Sequence, residues 1–102
     1  MEIGSAIRYV RDKRKITQSD LALMVGMNQV SISNIENGNQ TPEHKNLIAI
    51  SKVLQVPVPV LYILAVRISD VPVDRKRQFK LSWSIIKEQA LNMFFDDPEN
   101  LE

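Results

Sequence analysis

Asn28, Gln29, Ser31, Ser33 and Asn34 crowd five neutral hydrogen-bonding side chains into seven residues. Amides and hydroxyls both donate and accept, and none of them moves a proton near neutral pH. Such a set suits contact with base edges and phosphates rather than bond-making chemistry. Little else in the chain could support catalysis. His44 is the only histidine, and there is no cysteine, no phosphate-cradling glycine loop and no paired acid and base. Asp96 and Asp97 read as tail charges. No catalytic residue, metal ligand or cofactor is therefore expected.

The elements that must position these side chains are legible around them. Gln18, Ala22, Gly26, Ile32 and Ile35, followed by Glu36 and Gly38, have the spacing of two short helices crossing through a tight turn. The second helix of such a pair is free to enter a DNA groove. Ala22 is small where the helices approach, and Gly26 can take the positive φ of the turn. Leu21, Val25, Ile32 and Ile35 recur at helical intervals on an inner face.

Further helices flank this pair. Ile3, Ile7 and Val10 predict a first helix over about Ile3 to Lys13. Thr17 is a good N-cap for the second helix, with Asp20 completing something close to a capping box. Asn28 caps the third, and Asn37-Gly38 ends it. Thr41-Pro42 reads as N-cap and first residue of a fourth helix, whose stripe is Leu47, Ile50, Val53 and Leu54 and whose end is near Gln55. Pro57 and Pro59 delay a fifth helix to about Val58. Its body, LYILAVRI, is apolar almost all round. Ser69 to Asp74 reads as a linker. A last helix starting near Asp74 sets Phe79, Trp83, Ile86, Ala90 and Met93 or Phe94 along one face.

The net charge of +1 is too small to announce a nucleic-acid partner, but its distribution is uneven. Residues 1–67 carry +3 and residues 68–102 carry −2. Arg8, Arg11, Lys13, Arg14 and Lys15 make a small basic footprint just before the helix pair, although a plain solvated helix face would have the same composition. An apolar share of 44% with 25% charged residues is ordinary for a soluble chain. No apolar run approaches a membrane span, and the start has no signal-peptide core. A cytoplasmic, nucleoid-associated location without membrane contact is expected.

The run IRYVRDKRKITQSDLALMVGMNQVSISNIENGNQTP, continued by LIAISKVLQVPVPVLY, resembles the Cro/CI-type helix-turn-helix of phage repressors and bacterial regulators, the XRE family. The resemblance covers about residues 3–66. It implies an all-α fold, a lambda-repressor-like five-helix bundle, to which this chain adds a C-terminal helix. The expected division is a helix-turn-helix DNA-binding domain over 1–68, a helical extension over 69–95 that dimerises or caps, and a disordered acidic tail over 96–102. The family usually acts as a dimer on palindromic double-stranded DNA.

Carried over position by position, the resemblance assigns phosphate contacts to Gln18, Asn28, Ser31, Asn37 and Asn39. Gln29, Val30, Ser33 and Asn34 would face the major groove. Gln and Asn can bond an adenine edge in bidentate fashion, and Val30 could touch a thymine methyl. Arg11 and Glu36 match a pair that ties the first helix to the third. The chain also departs from the family. Its recognition helix, Asn28 to Asn37, has no Lys or Arg, and neither has the loop through Thr41. Lys15 stands where glycine or asparagine is usual, Leu23 and Met24 replace polar residues, and His44 replaces an apolar one.

Four of the six aromatic residues, Phe79, Trp83, Phe94 and Phe95, fall in the last 24 positions. Burying each contributes roughly 1.5–3 kcal/mol, so they call for a cover. A homodimer interface through Phe79, Trp83, Ile86 and Phe94 is expected, with capping of the chain's own bundle as the alternative. A protein partner bound through this segment is a further option, since antitoxins and regulated repressors of the family use such extensions that way. The function expected from these observations is a sequence-specific regulator, a repressor binding operator DNA as a homodimer. The competing expectation is an antitoxin-like or adaptor module that keeps the bundle with little DNA binding.

Overall fold

Six α-helices and two 3₁₀ turns account for the regular structure, with no strand, in a computed structural model that describes residues 2–95. The acidic tail over 96–102 lies outside the described residues. The chain divides after Val66 into two units. The first holds α1 (Ile3–Lys13), α2 (Gln18–Val25), α3 (Gln29–Glu36), α4 (His44–Leu54) and α5 (Val58–Leu64).

Ile7 and Val10 of α1, Leu21 and Ala22 of α2, and Ile32 and Ile35 of α3 are all buried. Leu47, Ile50 and Leu54 of α4, Val56 and Leu61 complete the same core. These positions are the apolar stripes of amphipathic helices, which bury one face each and leave a polar face to water. Gly4 sets how closely α1 meets α3. A Cβ on Gly4 would overlap the carbonyl oxygen of Ile35, so only glycine allows the two backbones to touch there.

Two boundaries differ from the sequence expectation. Thr41-Pro42 does not open α4. Pro42 is buried, the chain stays extended through Glu43 (φ −63°, ψ 151°), and Glu43 is an N-cap without a side-chain bond. The fifth helix stops at Leu64, although the apolar run continues. Its next carbonyl, that of Ala65, accepts the amide of Glu2 at 3.2 Å instead of a following helical amide.

The second unit comprises 3₁₀ turns at Ile68–Asp70 and Val73–Arg75 and then α6 (Lys76–Phe95). The Asp70 carboxylate accepts the Arg67 amide at 2.9 Å, and Lys76 Nζ donates to the Ile68 carbonyl at 2.8 Å. Phe79 and Trp83, one turn apart on α6, stack with ring centroids 5.0 Å apart. Leu81, Ile85, Ile86 and Met93 are exposed on this helix. No single helix among the described residues is long and apolar enough to cross a membrane.

Candidate nucleic-acid interface

The joint between α2 and α3 is fixed by its caps. Thr17 Oγ1 accepts the Asp20 amide at 3.0 Å, so α2 starts where an oxygen can serve its unpaired N–H groups. Gly26 ends α2 in the left-handed region (φ 75°), and the Met27 amide closes back on the Ala22 carbonyl at 2.9 Å. This is the reversal that only glycine takes without strain. Asn28 Oδ1 then accepts the Ser31 amide at 2.8 Å and opens α3. Beyond α3, the amides of Asn39 and Gln40 both turn back to the Asn34 carbonyl.

A buried cluster holds the two helices against α1. Arg11 donates through Nε to Glu36 Oε2 at 2.7 Å and through Nη2 to Glu36 Oε1 at 2.9 Å. Gln18 Nε2 adds a third bond to Glu36 Oε1 at 3.0 Å, and Arg11 Nη1 reaches the Ile16 carbonyl at 2.8 Å. The carboxylate, wholly shielded from water, holds the Arg11 guanidinium above its ordinary pKa range by hydrogen bonding. A charge buried this way is tolerated because every one of its partners is in place.

The outer face is polar and concave. Gln18, Gln29, Val30, Ser33 and Asn34 line one open depression of about 340 Å³. All four residues expected to face bases therefore share one surface with Gln18. Gln29 and Val30 are exposed, while Ser33 and Asn34 are half-buried. Asn28, Ser31, Asn37 and Asn39 lie outside this depression, and the Asn28 side-chain oxygen Oδ1 is already engaged as a cap. Ser19 had no signal in the sequence, where it reads as one more solvated helix residue. Its hydroxyl donates to Gln29 Oε1 at 2.9 Å.

The basic footprint is smaller than its composition suggests. Arg11 turns inward to Glu36, and Arg14 Nε donates to the Leu54 carbonyl at the end of α4 at 2.9 Å. A cation there complements the helix dipole, and its position is structural. Arg8, Lys13 and Lys15 remain exposed, with the Lys13 ammonium 5.7 Å from the Tyr9 ring centre.

The family model described as helix-turn-helix matches residues 7–61, more than half of the chain. The chain belongs to the helix-turn-helix family, in its Cro/CI-type (XRE) class. This helix-turn-helix chain is 47% identical over 55 residues to the HTH-type transcriptional regulator DicA of Escherichia coli (strain K12), covering 54% of this chain and 41% of that one. It is 45% identical over 53 residues to repressor protein C2 of Salmonella phage P22, covering 52% of this chain and 24% of that one. The helix-turn-helix chain thus spans less than half the length of either relative. A crystal structure of the P22 c2 repressor in complex with a synthetic operator superimposes with a TM-score of 0.57 at 41% identity, over 60% of this chain and 92% of that one.

Proposed function

We propose that this chain is a sequence-specific DNA-binding transcriptional regulator, a repressor that occupies operator DNA as a homodimer. The observation that carries this reading is the single depression formed by Gln18, Gln29, Val30, Ser33 and Asn34. It gathers amides, a hydroxyl and one apolar side chain on the outer face of α3, the chemistry that major-groove edges and thymine methyls present in complement. The P22 c2 repressor, a protein of similar fold, is seen with a synthetic operator. Phosphate contacts fall to Gln18, Asn28, Ser31, Asn37 and Asn39, with Lys15 and Lys13 as exposed cations.

Two copies are needed for tight binding. With no basic residue on α3, one copy neutralises few phosphates, and phosphate neutralisation supplies most non-specific affinity. The face of α6 that carries Phe79, Trp83, Ile86 and Phe94 is the dimer surface in this reading. Repression then follows from occupancy of promoter DNA, with no reaction. The alternative, a protein-interaction module, draws on the exposed Leu23 and Met24 of α2 together with the missing charge on α3.

A salt titration on random duplex DNA separates the two. For a DNA binder, log affinity falls against log salt with a slope of about −0.9 per neutralised phosphate. Absence of binding at about 50 mM salt favours the interaction module.

A further inference from the structure

Gln18 and Gln29 flank the same depression, but their amides are held differently. Gln18 commits one N–H of Nε2 to the buried Glu36 and keeps the other. Gln29 makes no hydrogen bond to that cluster, and it lies in the exposed first turn of α3. A glutamine in that position has three rotatable bonds and two amide orientations to choose from, and ordering it on DNA costs side-chain entropy. The Ser19 hydroxyl, 2.9 Å from Gln29 Oε1, removes part of that freedom. Because the contact is oxygen to oxygen, the hydroxyl must be the donor.

We propose that Ser19 is a positioning residue for base readout, tethering the Gln29 amide group beside the start of α2. One lone pair of Gln29 Oε1 is taken by Ser19, and the second remains free to accept. Among the described residues nothing accepts from Gln29 Nε2. The side chain therefore offers one acceptor and an N–H donor side by side, the pair that an adenine edge matches through N6–H and N7. Without the hydroxyl the Gln29 side chain is untethered, and ordering it against an adenine edge costs more. This role rests on the DNA-reading function proposed above.

The test uses the full chain and duplexes carrying every single-base change in the sequence that the wild type selects from a random pool. Ser19→Ala is expected to lose about fivefold in discrimination, the worth of one hydrogen bond, at the base pair where Gln29→Ala also loses it. Other positions and the salt slope should not move. Ser19→Thr, which keeps the hydroxyl, should restore the preference, and Ser19→Ala combined with Gln29→Ala should behave as Gln29→Ala alone. Uniform weakening at all positions, additive losses in the double variant, or no change would each overturn the positioning role while leaving the DNA reading intact. A wild-type chain that selects no sequence overturns the DNA reading, and the positioning role with it.

Discussion

Arg11 and Glu36, 25 residues apart, are joined by two hydrogen bonds of 2.7 and 2.9 Å in a site where the carboxylate has no access to water. The pair fastens α1 to the end of α3, and Gln18 extends it to the start of α2. The orientation of the polar face of α3 therefore depends on a contact that never meets the ligand. Removing Glu36 leaves the buried Arg11 guanidinium only the Ile16 carbonyl and the exposed Asp12 carboxylate 3.4 Å away. Glu36→Ala should cost about 3–5 kcal/mol, seen as a lower urea midpoint. A volume-matched apolar pair at both positions should recover most of that loss. A single variant that unfolds within about 1 kcal/mol of the wild type would show that the pair lies in water, as surface pairs do.

Gly4→Ala and Gly26→Ala are the same chemical change with different costs. At Gly4 the new methyl meets the backbone of Ile35, and neither helix can yield without disturbing the core. Overpacking of this kind costs about 1–3 kcal/mol or more. At Gly26 the methyl has open space, and only the positive φ of 75° opposes it, at about 1 kcal/mol. Thermal unfolding of the two variants should rank Gly4→Ala as the less stable. The reverse order would mean that α1 and α3 are further apart than described.

Lys15 and Gln55 both sit at φ 58°, in the left-handed region. Glycine there relieves backbone strain but also loosens the unfolded chain, and the first effect is the larger where φ is positive. Lys15→Gly and Gln55→Gly should each stabilise by about 0.5–1 kcal/mol. The backbone bonds through these residues are unaffected by the change. Equal or lower melting temperatures would contradict the assigned dihedrals.

Ile86 and Met93 lie exposed on α6, near Phe79 and Trp83 on the helix wheel. If that face joins two copies, a charge placed in it must be desolvated, which costs more than the apolar contact it replaces. Sedimentation equilibrium should show a wild-type dimer and an Ile86→Glu monomer with unchanged helix content. A dimer that persists in Ile86→Glu would move the interface elsewhere.

The inner half of this molecule was legible in its sequence because helix stripes and caps are local signals. Thr17, Gly26 and Asn28 each sit where side-chain chemistry alone would put them. What stayed hidden depends on partners distant in sequence. Ala65 ends α5 because Glu2 takes its carbonyl, and Pro42 precedes rather than begins α4 because it is buried. Arg14 counted as surface charge in the composition, yet its guanidinium points at the Leu54 carbonyl within the fold. Among the residues of the candidate interface, Gln29 was evident from type and position. Ser19 was not, since a serine beside a helix start looks the same whether or not a glutamine lies across from it.

Selection of bound duplexes from a random pool by the intact wild-type chain decides whether α3 reads DNA sequence. A dimer that reads DNA with α3 should enrich one two-fold-symmetric site whose half-sites are centred about 10 bp apart, one helical turn. A pool that emerges with no recurring sequence would contradict the claim that Gln29, Val30, Ser33 and Asn34 read bases.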